Sequence, residues 1–305
     1  MGGMADVIVV GGGIIGLTAA IRLGEAGAEV AVWSPVDPLD TVSAVAAAVW
    51  YPTHTDYDPR VLRWAGAAYA EFTRQAADGV PGVLLRATRN LGQATEMPWW
   101  APAAGDVSLM DGAVRFTAPL AEMAVYLPWL RDRVRLVRRG VRRLDEAFAE
   151  APVVVNATGL AARELVADPA VHPARGQIVL VANPGLDTSV RAEGEPGTYV
   201  HPRSRDVVLG GTFQEGDWNT TPDPATRDAI LARCRALVPE LADAPILGER
   251  VGLRPARHGG PRVEAEAVAG GTIVHAYGHG GAGMTLSWGC ADEIVRQCQG
   301  DQRHV

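Results

Sequence analysis

A glycine-rich turn near the start of the chain constrains the fold more than any other feature. Residues 6–33 contain, in order, a β-branched apolar run, the turn Gly-Gly-Gly-Ile-Ile-Gly, a helical repeat of apolar residues and a second apolar strand. Gly11, Gly13 and Gly16 thereby occupy a G-x-G-x-x-G pattern between a strand and a helix, the setting that this pattern needs to bind a dinucleotide. The sequence therefore predicts a Rossmann-like α/β domain.

Each glycine of this turn has a distinct physical task. Gly11 permits the tight turn, Gly13 lets a pyrophosphate approach the backbone, and Gly16 lets the helix pack closely on the strand. The helix begins at Ile14, and Ile15 is its second residue. The free N–H groups and the partial positive charge of this helix end suit a phosphate. A glycine-rich turn without a ligand is the alternative, and the two flanking strands favour dinucleotide binding.

The ribose-binding acid of such domains is missing from its usual place. It is expected at the end of the second strand, where residues 33–37 instead read Trp-Ser-Pro-Val-Asp. Asp37, or Ser34 acting through a water molecule, is therefore the candidate for this contact. The pyrophosphate contacts are predicted more firmly than the adenosine contacts.

Composition excludes several classes of function. The 305 residues suit one large domain or two smaller ones. All 28 basic residues are arginines, so a Schiff-base lysine, a lysine general base and a P-loop lysine are excluded. The formal net charge of −7 argues against non-specific nucleic-acid binding. No metal site is expected either. Seven arginines fall within residues 131–143, where alternation with apolar residues favours the solvated face of a strand over an anion-binding patch.

Cysteine usage and hydropathy bear on location. The three cysteines, Cys234, Cys290 and Cys298, form neither a disulfide framework nor a metal clip, which suggests a reducing compartment. No apolar run approaches the ~18 residues of a membrane helix, and the N-terminus does not resemble a signal peptide. We therefore expect a cytoplasmic protein with no membrane partner. A homodimer is an open alternative to a monomer.

Later segments return to the nucleotide-binding pattern. Residues 153–159 form another buried strand, which ends in Asn-Ala-Thr-Gly. Its return after more than a hundred residues predicts a discontinuous nucleotide-binding domain. Residues 273–283 form a strand and another glycine loop, and a closing helix over 284–297 follows. Residues 59–75 are predicted as a helix, whereas the small apolar stretch 44–50 fits either close approach to a flat ligand or ordinary packing.

At this point the chain resembles a known family. The motifs Gly-Gly-Gly-Ile-Ile-Gly-Leu, Val-Asn-Ala-Thr-Gly, Arg-Gly-Gln, Gly-Leu-Arg-Pro and Tyr-Gly-His-Gly-Gly, in this order, look like those of the FAD-dependent D-amino-acid oxidases. The resemblance runs nearly end to end. It implies a Rossmann-like FAD-binding domain with an inserted α+β substrate-binding domain built on a mixed sheet. The expected bounds are 1–52, 138–177 and 248–305 for the first domain and 53–137 and 178–247 for the second.

The resemblance also implies a set of site residues. Arg254 matches the arginine that pairs with the substrate carboxylate, Tyr199 the tyrosine that also contacts it, and Gly281 the glycine whose carbonyl receives the amino group. No side chain is expected to act as acid or base, and His279 is interpreted as a loop residue. Besides the glycines and isoleucines of the first turn, the positions matching FAD contacts are Thr41, Ser43, Ala48, Val49, Val141, Gly280, Gly281, Gly283, Met284 and Thr285.

The implied reaction is the oxidation of a D-amino acid by O₂ to a 2-oxo acid, ammonia and hydrogen peroxide, with hydride transfer from the α-carbon to flavin N5. At the position of Phe213, the D-aspartate oxidases look to have an arginine that receives the side-chain carboxylate of the substrate. Phenylalanine cannot do this, so neutral or apolar substrates are predicted, although the nearby Arg191 argues against this prediction. The alternatives are a D-aspartate or glycine oxidase, an NAD-dependent dehydrogenase and a non-catalytic dinucleotide-binding module.

Overall fold

The computed structural model describes residues 5–52, 58–92, 94–194 and 197–300. The helices in these residues are α1 (Ile14–Glu25), α2 (Pro59–Ala77), α3 (Met123–Arg131), α4 (Ala162–Leu165), α5 (Pro224–Leu237) and α6 (Gly283–Gly300). The strands are β1 (Val7–Val10), β2 (Val30–Ser34), β3 (Val83–Leu91), β4 (Ser108–Met110), β5 (Ala113–Ala121), β6 (Arg135–Arg138), β7 (Val153–Asn156), β8 (Val171–Ala182), β9 (Ser189–Ala192), β10 (Thr198–Pro202), β11 (Asp206–Gly210), β12 (Gln214–Glu215), β13 (Ile246–Arg257), β14 (Arg262–Val268) and β15 (Gly271–Tyr277).

The first sheet has the order β14-β15-β7-β1-β2-β6. All of its neighbours are parallel except β14 and β15, which form an antiparallel edge. β1 is buried along its whole length, as its apolar run predicts. The carboxyl ends of β1, β7 and β15 lie side by side, so the three turns that follow them meet at one edge of the sheet.

The second sheet has nine strands and mixed pairing. Eight follow the order β12-β8-β11-β10-β9-β3-β5-β4, and β13 pairs along β8. β3 and β9 are parallel, whereas the other neighbours are antiparallel. The predicted architecture of a Rossmann-like unit with a second, mixed sheet is confirmed.

Helices α1 and α6 pack together on the first sheet, and α2 packs between α6 and the strands β3 and β5 of the second sheet. Gly289 lies against the backbone of Trp64, which brings α6 close to α2. The Trp288 indole N–H donates to the Tyr126 hydroxyl over 3.0 Å, so α6 is also tied to α3. Burial of four tryptophans in this core contributes about 2 kcal/mol or more for each side chain.

The predicted elements agree with the structure within a few residues. The helix predicted over 59–75 extends over Pro59–Ala77. The stretch 44–50 begins in a short 3₁₀ turn and continues as irregular backbone with one isolated β-bridge, at Val49. In the arginine-rich segment, Arg133 and Arg135 are exposed while Val134 and Leu136 are half-buried, as alternation predicts, and Arg138 at the end of β6 is also exposed. The expected domain bounds at 177 and 248 fall inside β8 and β13, two strands of the second sheet. No helix in the described part of the chain is both long and apolar enough to cross a membrane.

Candidate active site

A large cavity opens at the carboxyl ends of the first sheet and reaches the second sheet. Its volume is about 1470 Å³. It is lined by the turns after β1, β7 and β15 and by strands of the second sheet. Small-molecule sites are typically ~300–1,000 Å³, so this cavity has room for a dinucleotide together with a small substrate.

The first glycine turn forms a cradle that only glycine fits. Gly11 has a φ of 122°, and a Cβ there would lie well inside 3.0 Å of the Ala157 carbonyl oxygen. A Cβ on Gly16 would collide in the same way with the Gly11 carbonyl oxygen. Gly11, Gly13, Ile14 and Ile15 line the cavity, whereas Gly16 lies behind the turn. The cradle therefore fits the pyrophosphate of FAD, with Gly16 supporting it from outside the cavity.

The adenosine end of the cavity differs from the sequence-based expectation. Asp37 does not line the cavity; its carboxylate accepts from the Leu39 N–H over 3.0 Å and faces Arg131 at 3.5 Å. Ser34 does line it, although its hydroxyl donates to the Val36 carbonyl. Asp40 lines the cavity, a position that sequence reasoning missed because it lies six residues beyond the end of β2. Asp40 thus places a carboxylate at the cavity wall shortly after β2.

The loop after β15 forms the opposite wall. Gly278 and Gly280 have φ values of 82° and 54°, which carry the chain sharply into α6. The Thr285 hydroxyl donates to the Tyr51 carbonyl over 3.0 Å and accepts from the Tyr51 N–H over 3.1 Å, which ties α6 to the segment after β2. The remaining predicted FAD positions all line the cavity: Thr41, Ser43, Ala48, Val49, Val141, Gly280, Gly281, Gly283, Met284 and Thr285.

Arg254 projects into the cavity from β13. Its guanidinium donates to the Thr212 carbonyl over 3.0 Å, and no carboxylate of the described residues pairs with it. A Cβ on Gly176 would overlap the guanidinium, so this glycine makes room for it. The guanidinium carbon lies 5.6 Å from the Phe213 ring centroid. A charged fork with free donors at a cavity wall is suited to a carboxylate ligand.

Tyr199 is on β10 and lies beside Arg254 of β13, and both residues line the cavity. Gly210 faces Tyr199 across the β10–β11 pair, and a Cβ there would overlap the phenol ring. Burial raises the pKa of Tyr199, and the positive charge of Arg254 opposes this rise. The phenol is therefore protonated at neutral pH and can donate a hydrogen bond.

A second arginine, Arg191, also lines the cavity. Its guanidinium carbon lies 4.1 Å from the Tyr51 ring centroid and 5.7 Å from the Tyr199 ring centroid. No ion pair holds it within the described ranges, and burial lowers its pKa. The chain carries no sequence signal for this placement beyond proximity to Tyr199.

Two histidines line the cavity as neutral imidazoles. His279 is 3% exposed, and burial lowers its pKa to about 4. His201 stacks on Tyr199 at 4.8 Å, and burial with the nearby Arg191 charge lowers its pKa well below 6.5. Among the described residues, no cluster of three or more potential ligands could hold a metal ion.

These histidines predict acid instability. The unfolded chain binds their protons near pH 6.5, whereas the folded chain resists protonation of His279 down to about pH 4. The free energy of unfolding should therefore be highest above pH 6.5. It should decrease between pH 6.5 and about pH 4, by up to ~1.4 kcal/mol per pH unit for each histidine. Urea unfolding at several pH values measures this slope, and His279→Gln should reduce it. A flat profile would contradict the burial of neutral imidazoles.

Comparison with known proteins places this fold and cavity in a family. The model of the FAD dependent oxidoreductase family matches residues 6–134 and 129–297. The D-amino-acid oxidase of Rubrobacter xylanophilus is 48% identical over 96% of this chain and 95% of its own length. That of Streptomyces coelicolor is 41% identical, over 95% and 96%. The glycine oxidase of Bacillus cereus superposes with a TM-score of 0.82 at 20% identity, covering 97% of each chain. The chain belongs to the FAD dependent oxidoreductase family.

Proposed function

We propose that this protein is a D-amino-acid oxidase that converts D-amino acids with neutral or apolar side chains to 2-oxo acids, ammonia and hydrogen peroxide. The observation that carries the proposal is the pair Arg254 and Tyr199, side by side at one end of a cavity large enough for FAD. The D-amino-acid oxidase relatives at 48% and 41% identity support it. A dehydrogenase that binds NAD is disfavoured by the family to which the chain belongs.

The residues of the chain bind and orient the substrate. Arg254 receives the carboxylate through two parallel hydrogen bonds, and the Tyr199 hydroxyl donates a third. The carbonyl of Gly281 accepts from the amino group. The carboxylate, the amino group and the substrate side chain in its pocket thus fix the α-carbon at three points, which selects one enantiomer. FAD, when bound, would accept the hydride that leaves the α-carbon, and O₂, the final oxidant, would become hydrogen peroxide. Water then hydrolyses the released imino acid to the 2-oxo acid and ammonia. No side chain is required to remove a proton from carbon, in agreement with neutral His279 and His201.

The first sheet and its three turns are proposed to hold FAD. The glycine turn would take the pyrophosphate and Asp40 the ribose. The flavin would be held by cavity-lining residues of the loop after β15 and the start of α6: Gly280, Gly281, Gly283, Met284 and Thr285. The second sheet supplies the substrate contacts from β10 and β13. This proposed division differs from the domain bounds expected from the sequence, because β6, β8 and β13 cross the bounds at 138, 177 and 248. We further propose a cytoplasmic location and a homodimer.

The neutral-substrate proposal depends on Phe213. The centroid of its ring lies 5.6 Å from the guanidinium carbon of Arg254, and Phe213 lines the cavity. A substrate whose carboxylate binds Arg254 would therefore place its side chain near this ring. A phenyl ring offers no hydrogen bond to a second carboxylate, and an unpaired buried carboxylate is strongly disfavoured. Neutral and apolar side chains therefore fit this wall better.

A second candidate function rests on Arg191. Its guanidinium faces the cavity with no ion pair in the described residues, so it offers a positive charge to an anionic substrate side chain. A D-amino acid with an acidic side chain would then place one carboxylate on Arg254 and the other on Arg191. The tyrosine rings beneath Arg191 compete for this charge through cation–π contacts, which favours the neutral substrates.

A substrate panel distinguishes the two candidates. We expect D-alanine and D-valine to bleach the flavin absorption anaerobically, L-alanine to leave it unchanged, and kcat/KM for D-valine to exceed that for D-aspartate at least tenfold. Arg191→Met should then change kcat/KM for D-valine little. If D-aspartate is the best substrate and Arg191→Met removes that preference, the acidic-substrate candidate is correct. A flavin that no D-amino acid bleaches would refute both.

A further inference from the structure

A chain of hydrogen bonds, buried at its centre between Asn156 and His275, runs from the cavity wall through the first sheet to its edge. Thr158, at the cavity wall, donates through its hydroxyl over 2.7 Å and its N–H over 3.3 Å to the Asn156 amide oxygen. The Asn156 amide nitrogen lies 3.3 Å from His275 Nδ1. His275 Nε2 lies 2.9 Å from a Glu266 carboxylate oxygen, and Glu266 also accepts from Arg262. Neither Asn156 nor His275 lines the cavity.

The donors and acceptors of this chain fit only one protonation pattern. Because Thr158 presents two donors to Asn156, the amide oxygen of Asn156 must face Thr158 and its NH₂ group must face His275. His275 Nδ1 must then accept, so the imidazole proton is on Nε2, where the Glu266 carboxylate accepts it. A charged imidazole would put a second donor against the Asn156 NH₂ group. His275 therefore completes the chain only as the neutral Nε2–H tautomer.

The turn at the end of this chain shapes the FAD cradle. The Ala157 N–H donates to the Val10 carbonyl over 2.9 Å, and the Ala157 carbonyl lies where a Cβ of Gly11 would be. The position of residues 157–159 thus sets the space behind Gly11. Gly159, with a φ of 60°, also lines the cavity. A rotation of Asn156 would release the Thr158 hydroxyl and N–H and loosen this turn.

We propose that His275 is a positioning residue for FAD: its neutral imidazole holds the Asn156 amide, which holds the turn at residues 157–159 against the cofactor cradle. His275 acts through Asn156 and touches neither cofactor nor substrate. The proposal depends on FAD binding, which the family establishes, and is independent of the substrate. FAD retention should therefore decrease when His275 becomes protonated.

The charged groups around His275 set the pH range of this effect. Glu266 and Glu264 lie on β14, Arg262 lies on the same strand, and Tyr277 packs edge-on against the imidazole from β15. Asn156, on β7, is uncharged. Burial lowers the pKa of His275, and Glu266 opposes this shift. The His275 hydrogen bond lowers the pKa of Glu266, so Glu266 stays ionised while His275 titrates.

The experiment measures FAD release from the holoenzyme by the rise in flavin fluorescence after dilution, between pH 5 and 8. Wild type should release FAD at least threefold faster at pH 5 than at pH 7.5. His275→Gln keeps an acceptor for Asn156 and a donor for Glu266 but does not titrate, so its release rate at pH 7.5 should match wild type and stay flat with pH. His275→Leu should release FAD about tenfold faster at every pH. Far-UV circular dichroism at each pH controls for unfolding.

A second measurement does not depend on the variants folding. Long-range ¹H–¹⁵N correlation spectra of the wild-type holoenzyme report the tautomer of each histidine. We expect the His275 ring to be in the neutral Nε2–H form at pH 7.5 and to titrate below pH 6.5. An Nδ1–H tautomer or a charged ring at pH 7.5 would overturn the proposal. Equal release rates for wild type and His275→Leu at all pH values would overturn it as well, whatever the substrate proves to be.

Discussion

Replacing Arg254 with alanine is expected to lower kcat/KM for D-alanine by roughly 10²- to 10³-fold, because it leaves the substrate carboxylate without its positive partner. The guanidinium has donors to spare, since its one short contact is with the Thr212 carbonyl. Arg254→Lys keeps the charge but loses the planar fork, so an intermediate loss is expected. Steady-state oxygen consumption with D-alanine measures both effects.

Arg250 offers the matched control for this experiment. It lies four residues earlier on the same strand, β13, and its side chain is exposed. Arg250→Ala should keep wild-type kcat/KM and flavin content, whereas Arg254→Ala should keep flavin content alone. An Arg254→Ala protein with full flavin and near wild-type kcat/KM would show that the carboxylate binds elsewhere, with Arg191 the next residue to test.

Local pattern predicted much of this structure. The order of strand, glycine turn and helix at residues 6–33 is encoded in adjacent residues, so β1, α1 and β2 appear at the predicted places. The resemblance to the D-amino-acid oxidases implies Arg254, Tyr199 and Gly281 as site residues, and the structure places all three at the cavity wall. Their roles stay proposals until the variants are measured.

Features that depend on distant strand pairing could not be predicted in this way. Arg191 faces the cavity because β9 pairs with β10 and β3, a register that local periodicity does not encode. His275 meets Asn156 because β15 lies beside β7, 119 residues away in sequence. The position of Asp40 could not be predicted, because the chain continues after β2 into a 3₁₀ turn. This turn brings to the cavity an acid that lies further along the chain than the usual spacing suggests.

Replacing Gly16 with alanine is expected to abolish FAD binding, with flavin content below about a tenth of wild type. A Cβ at this position would overlap the Gly11 carbonyl oxygen and would also crowd the Val9 side chain at 3.3 Å. The Gly11 backbone has no room to retreat, because it already lies against the Ala157 carbonyl. Overpacking of this kind costs about 1–3 kcal/mol when neighbours can move, and here the neighbours are backbone. The ratio of flavin absorbance to protein absorbance measures the loss.

Gly24→Ala is the matched control, because Gly24 lies in the same helix, α1, with no atom within 4 Å of its Cβ position. Alanine there should bind FAD fully and stabilise the protein by roughly 0.5–1 kcal/mol, the difference between alanine and glycine in a helix. Opposite effects of one methyl group at two positions of α1 would locate the FAD requirement in the turn and not in the helix as a whole. If Gly16→Ala bound FAD as wild type does, the cradle formed by Gly11 and Ala157 would not be the pyrophosphate site.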